Sequence, residues 1–252
     1  MKDLLIVVPV YNEEKRIRAN TELLLDFFEK TGIEFTIVLS VDKSPDDSEE
    51  ICKLLENTYE RVSTIIHLKK GGRGLAVRDA WEKFEAKVYS FIDADLSGGL
   101  DALFTGYQLI HGGEEKFVIG SRYSAGSKTE RPPLRKVVSI AYNLLLRNVF
   151  KNSIKDFQCG LKLMSSELKE EIIDLSRVNS WFWDAEIIII CLQLGISVRE
   201  LPVEWKENKY VRTSLKRLFH DIILHGWGLL LLYKRSRIKG TLTNSSTDSL
   251  KF

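Results

Sequence analysis

Asp93 and Asp95 close a short apolar run, Val88-Tyr89-Ser90-Phe91-Ile92. A buried strand ending in Asp-x-Asp carries carboxylate oxygens to the mouth of a sheet, where open α/β sheets take their ligands. Hard oxygen donors suit Mg²⁺ or Mn²⁺ escorting a diphosphate; Asp-x-Asp also occurs in ordinary turns. A second group is cationic. Arg135 and Ser139 stand four apart, so on a helix they share a face, and with Arg122 they make a cradle for a phosphomonoester. The same spacing also fits a basic amphipathic helix with no ligand. A third group is the turn Lys70-Gly71-Gly72-Arg73-Gly74. Its glycines let a ligand approach the backbone, its N–H groups at a helix start favour an anion, and Arg73 adds a cation. It is not a dinucleotide fingerprint, since Val77 replaces the third glycine and the turn does not follow the first strand. His67, His111, His220 and His225 show no ligand spacing and read as structural.

The elements that must position these groups alternate. Leu4–Val10, Phe35–Val41, Val62–Leu68 and Val88–Ile92 read as buried strands. Between them, Glu13–Lys30, Ser48–Asn57 and Gly74–Phe84 read as helices, with Asn12 able to cap the first and Asp47 or Ser48 the second. This alternation predicts an α/β fold: a single doubly wound, mostly parallel sheet with flanking helices. The second half is less regular. Strands are expected at Phe117–Arg122, Gly160–Met164 and Ser197–Trp205, and helices at Leu134–Phe150, Ser166–Leu175, Ala185–Leu194 and Thr213–Tyr233. Absence of a Pro/Gly linker favours one domain over residues 1–235, with a nucleotide-binding half at 1–100 and an acceptor half at 101–235. Residues 236–252, rich in Thr, Ser and Asn, read as a disordered tail.

Composition is that of a soluble globular protein, 44% hydrophobic and 29% charged over 252 residues. No window has the roughly 18 apolar residues that span a bilayer, and Leu4–Val10 is too short for a signal peptide. Three scattered cysteines give neither a zinc spacing nor a disulfide framework, which fits a cytoplasmic setting. Basic residues concentrate in 122–155 and again from 208 onward. Such blocks suit a solvated face, an anionic ligand, nucleic acid or anionic lipid. Leu134–Lys151 and Leu215–Tyr233 each set cations beside bulky apolar groups, the pattern of a helix lying in a membrane interface or of one packed on a core.

Five segments, in order, resemble inverting glycosyltransferases of family 2 with the GT-A fold. They are Val8-Pro9-Val10-Tyr11-Asn12-Glu13-Glu14, a strand ending at Asp42, the Lys-Gly-Gly-Arg-Gly turn, Asp93-Ala94-Asp95, and a second half carrying Gly120-Ser121-Arg122, Arg135 to Ser139, Asp156 to Leu163, and Trp183-Asp184-Ala185-Glu186. Within that family the second half is similar to the polyprenyl- or dolichyl-phosphate glycosyltransferases. The resemblance implies a nucleoside diphosphate sugar donor, with UDP-glucose favoured over GDP-mannose, a polyprenyl phosphate acceptor, and Mg²⁺ or Mn²⁺. It implies that Pro9, Tyr11, Asn12 and Glu13 line base and ribose and that Asp42 reads the base. Lys70, Gly71, Arg73, Asp93 and Ala94 complete the donor site, with Asp95 on the metal and Asp93 on the ribose or a metal-bound water. Some relatives add a Gln ligand where this chain has Ser97.

For the acceptor phosphate it implies Arg122, Arg135, Ser139 and Arg212. Asp95, Asp156 and Arg122 form the implied catalytic set, Asp156 as a base or an acceptor-orienting group. A phosphomonoester is largely dianionic near neutral pH, its second pKa being about 6, and needs no base. Asp184 and Glu186 follow three aromatics, Trp181 to Trp183: an acid here serves as base in relatives with hydroxyl acceptors, or the aromatics wall the sugar or lipid. The expected protein is therefore a peripheral enzyme at the cytoplasmic face of a membrane, with no nucleic-acid partner. Three rivals remain: a family 2 enzyme with a soluble hydroxyl acceptor, a sugar-nucleotide pyrophosphorylase, and a non-catalytic module binding membrane or nucleic acid through its basic stripes. The second wants a glycine-rich loop after the first strand, where Tyr-Asn-Glu-Glu stands. The third leaves the acidic pair unexplained.

Overall fold

The computed structural model describes residues 1–206. Its first half runs β1 (Lys2–Val10), α1 (Ile17–Glu29), β2 (Phe35–Val41), α2 (Ser48–Thr58), β3 (Val62–Ile66), α3 (Arg73–Lys83) and β4 (Ala86–Ile92). The second half runs α4 (Leu100–His111), β5 (Phe117–Ser121), β6 (Lys128–Glu130), α5 (Pro133–Phe150), β7 (Leu161–Ser165), α6 (Ser166–Leu175), α7 (Trp183–Gln193), β8 (Arg199–Pro202) and β9 (Glu204–Lys206).

Seven strands form one sheet in the order β3-β2-β1-β4-β7-β5-β8. β1 pairs in parallel with β2 on one side and β4 on the other; β7 alone runs antiparallel, to both β4 and β5. Leu4 to Val8 are all at most 1% exposed, as expected of a strand covered on both faces. The strand order reverses between β1 and β4, so the crevice past their carboxyl ends is a topological switch point, the place where such sheets bind ligands. A second core lies behind β4. There Trp81, Phe91 and Trp183 meet ring to ring at 5.5 and 5.6 Å, all fully buried, and each is worth about 1.5–3 kcal/mol in burial.

The fold class expected from sequence holds. Several details differ. α1 starts at Ile17, not Glu13, because residues 13–16 close a turn in which Glu13 C=O accepts from the N–H of Arg16 and Ile17. Asn12 does not cap it; its φ of 59° is left-handed. Neither Asp47 nor Ser48 caps α2: Ser48 Oγ donates to Asp46 and accepts from the Glu13 N–H instead. α4 was not expected. Its buried Leu103, Tyr107 and Ile110 carry a helical period that the Gly98-Gly99 start obscures. The single strand expected at Ser197–Trp205 is two, and β9 leaves the main sheet to pair with β6. The helix expected at Thr213–Tyr233, Arg212, the boundary at 235 and the tail lie outside the described residues. His67 and His111 are structural as expected. The first bridges Ser40 and Asp79, and the second stacks on Tyr107.

Candidate active site

Asp93-Ala94-Asp95 leaves β4 at the switch point. Asp93 N–H donates to Gly160 C=O at 2.9 Å, and Asn20 Nδ2 on α1 donates to Ala94 C=O at 2.7 Å. The segment is thus clamped between β7 and α1, and turns back through Leu96 at φ 54°. Asp95 is exposed, its Oδ1 accepting the Ser97 N–H at 3.0 Å. Asp93 is half-buried, its Oδ1 accepting from Arg73 Nη2. Its other face lies against Gly160, where a Cβ would land on the carboxylate. The glycine of Asp156-Phe157-Gln158-Cys159-Gly160 is there to admit Asp93.

Negative charge accumulates at this edge. Burial first, then the Asp95 and Asp184 carboxylates, push the Asp93 carboxyl up to about 6 against the pull of Arg73. Burial, with Asp95, Asp93 and Asp46 adding, raises Glu13 to about 7 although Arg16 lies 2.7 Å away. Among the described residues no three His, Cys, Asp or Glu side chains are arranged to hold an ion unaided. Two hard carboxylates whose charges repel nonetheless fit a small divalent cation that takes its other oxygens from a diphosphate and water. Asp95 and Asp93 would hold it.

The loop after β1, expected to line a base and ribose, is built by hydrogen bonds the sequence did not reveal. Ser44 and Asp46, in the loop after β2, and Ser48, the first residue of α2, accept from the N–H of Asn12, Glu14 and Glu13 respectively. The loop after β1 is thereby held open by the loop after β2. Tyr11 is 44% exposed, with Lys70 Nζ 4.1 Å from its ring centre. Pro9 is the last-but-one residue of β1, paired with Ser40. Asp42 is buried. Its two oxygens accept the N–H of Gly71 and Gly72, each at 2.9 Å. The anion expected at the glycine turn is therefore supplied by the protein itself, and Asp42 anchors that turn. The glycines also admit protein backbone: a Cβ on Gly72 would sit 2.8 Å from Asn179 C=O, and one on Gly74 2.5 Å from Val178 C=O.

The loop that presses on these glycines is organised by Glu186. Its buried carboxylate accepts from Ser176 Oγ and from the N–H of Arg177 and Val178. Asp184 is equally buried, one oxygen on Arg73 Nη1 at 2.6 Å and the other on Lys162 Nζ at 3.0 Å. Neither acid is placed as a base. Of the three aromatics, Phe182 and Trp183 are core, and Trp181 is 58% exposed, stacked 3.8 Å from the Arg73 guanidinium.

Of the residues expected at an acceptor phosphate, Arg122 follows β5 and is clasped by Asp156. Its Nε, Nη2 and backbone N–H all donate to that carboxylate, at 2.7, 2.8 and 2.9 Å. Asp156 is fully buried. Burial opposes its charge, but Arg122 and the Gln158 N–H outweigh this and hold the carboxyl below its ordinary range. A carboxylate held so is a weaker proton acceptor, and of the two expected roles, base or orienting group, the geometry favours the second: Asp156 fixes Arg122. Ser139 and Asn143 lie on the buried face of α5, and Asn143 Oδ1 accepts the Phe157 N–H. Arg135, half-buried, precedes Ser139 by one turn as expected. Trp205, with its ring 4.9 Å from Arg122, was not foreseen; the aromatic in a short alternating strand was the available signal.

The family described as Glycosyl transferase family 2 matches residues 5–173. The chain is 32% identical over 232 residues to dolichyl-phosphate beta-glucosyltransferase ALG5A of Trichomonas vaginalis, covering 87% of this chain and 72% of that protein. It is 29% identical over 246 residues to glycosyltransferase AglD of Haloferax volcanii, covering 96% of this chain but only 39% of AglD. Among solved structures it superposes with a TM-score of 0.68 on glucosyl-3-phosphoglycerate synthase from Mycobacterium tuberculosis, crystallised with Mn²⁺, UDP-glucose and phosphoglyceric acid. The identity is 16%, over 92% of this chain and 80% of that one. That likeness fixes the GT-A fold. The family match runs from β1 into α6 and takes in every strand that ends at the acidic crevice, so the chain belongs to glycosyl transferase family 2.

Proposed function

We propose that this glycosyltransferase moves a hexose, glucose favoured, from a nucleoside diphosphate sugar, UDP-glucose favoured, to polyprenyl (dolichyl) phosphate with inversion, at the cytoplasmic face of a membrane. The observation that carries the acceptor is α5. It turns Leu134, Val137, Ile140, Leu144 and Leu145 outward, each 45–63% exposed, and buries the polar Ser139 and Asn143. A helix facing water does the reverse. Lys136, Arg147 and Lys151, all exposed, add the cations that anionic lipid attracts. Relatives named dolichyl-phosphate beta-glucosyltransferase support the same reading, in Trichomonas vaginalis and, at 27% identity, in Saccharomyces cerevisiae.

The donor base enters between Tyr11 and the Asp42-anchored turn, and its diphosphate reaches the edge bearing Asp93 and Asp95. A divalent cation bound there would supply Lewis-acid stabilisation of the departing nucleoside diphosphate. Arg122, fixed by Asp156, with Arg135 and Ser139, orients the acceptor phosphate for in-line attack. No proton has to be taken from a phosphate dianion. This suits a site whose two base candidates, Asp156 and Asp184, are committed to ion pairs; a hydroxyl acceptor would need one of them free. The test is release of nucleoside diphosphate from a panel of UDP- and GDP-sugars, with and without a short polyprenyl phosphate. Stimulation by the lipid phosphate, greatest with UDP-glucose, is expected. Turnover equal without it, or only with a soluble hydroxyl acceptor, overturns the reading.

A further inference from the structure

Lys162 on β7, Asp184 on α7, Arg73 at the start of α3 and Asp93 after β4 form one line of alternating charge. Lys162 Nζ lies 3.0 Å from Asp184 Oδ1, Arg73 Nη1 lies 2.6 Å from Asp184 Oδ2, and Arg73 Nη2 donates to Asp93 Oδ1. The first three side chains are at most 5% exposed. Phe91 faces both cations, at 5.4 Å from Lys162 and 5.8 Å from Arg73, and Trp181 covers Arg73. Lys162 sits opposite Phe91 in the β4–β7 ladder, a position where an apolar side chain would avoid desolvating a charge. The line ends at the donor site.

Its geometry divides one guanidinium between two carboxylates. An arginine left with a single carboxylate closes on it through two parallel N–H bonds. Here Asp184 holds Nη1, so Arg73 touches Asp93 through Nη2 and Oδ1 alone. Lys162 in turn occupies the other oxygen of Asp184 and so keeps Asp184 from taking Arg73 in the same forked manner. We propose that Asp184 and Lys162 are positioning residues that set how far Arg73 neutralises Asp93, and so tune the grip of the Asp93–Asp95 edge on a divalent cation with a nucleoside diphosphate. The proposal rests on the donor-site reading above.

The two residues pull in opposite senses, and a merely structural role would not. Calorimetric titration of UDP in the presence of Mn²⁺ reads the effect without turnover. Asp184→Asn releases Arg73 onto Asp93 and weakens binding about tenfold or more, the size typical of a partner behind a metal ligand. Lys162→Met frees Asp184 to draw Arg73 away and tightens binding. In the double variant Lys162→Met adds nothing, because its effect passes through Asp184. Circular dichroism and the unfolding midpoint are measured on each; should Asp184→Asn not fold, the sign of the Lys162→Met change decides alone. Weakening in both single variants, no change in either, or additive effects in the double variant overturns the positioning role. Failure of the unaltered protein to bind UDP with Mn²⁺ overturns the donor-site reading itself, and this proposal with it.

Discussion

Asp95 and Asp93 stand two residues apart in unlike surroundings. Asp95 is exposed and, among the described residues, carries one backbone bond. Its change to Ala should therefore leave stability within about 0.5 kcal/mol while turnover falls on the order of 10²–10³-fold or more, the usual loss of one electrostatic group aimed at developing charge. Unchanged activity across a Mn²⁺ titration would remove the metal role from Asp95. Asp156 behaves oppositely. Its change to Asn leaves buried Arg122 without a counter-charge and should cost about 3–5 kcal/mol in urea unfolding. The sign of the pH effect follows from its depressed pKa. Its stabilisation is present above the unfolded value of about 3.9 and lost as pH falls through the folded one, so the Asn variant should lack that acid-side loss. A variant as stable as the parent at pH 7 would end the clasp argument. Sequence showed which residues are acidic; it could not show that Asp42, Asp156 and Asp184 spend their charge inside the protein, because the groups that hold them are distant in the chain.

At the scale of elements, two glycines test how loops hold the site. Gly74 faces Val178 C=O and the Trp183 side chain, whereas Gly160 faces the Asp93 carboxylate. Gly74→Ala should cost roughly 1–3 kcal/mol through overpacking, with donor affinity of the folded fraction largely kept. Gly160→Ala should weaken donor binding well beyond its effect on the unfolding midpoint, because the methyl displaces the carboxylate proposed to hold the cation. Equal behaviour of the two would show that Gly160 serves packing alone. The strands were legible because strands buried on both faces are written as unbroken apolar runs. α5 was legible as an amphipathic helix, but its direction was not. Leu134, Val137 and Leu144 read equally well as core, and only the neighbours of Ser139 and Asn143 decide that the polar face points in.

For the whole molecule, that direction is the consequential fact. No described helix is long and apolar enough to cross a membrane, so attachment through α5 would be peripheral. Each exposed cation near an anionic surface contributes about 1 kcal/mol, enough in sum for reversible binding. The protein should float with anionic vesicles at low salt and less at moderate salt. Val137→Asp with Leu144→Asp should abolish flotation and leave UDP release with a water-soluble short acceptor intact. Flotation unaffected by the pair would move the contact elsewhere, including to residues beyond 206.

The sequence by itself determined the α/β order, the switch-point carboxylates and the membership of the five segments in one family. These depend on local period and on short spacings, which a chain displays directly. Only the tertiary structure decided which charges face a ligand and which cancel one another. Arg73 meets Asp184 across 111 positions, and Arg122 meets Asp156 across 34. A charge cannot be known as free or spent until every group within a few ångströms of it is known, and folding alone brings those groups there.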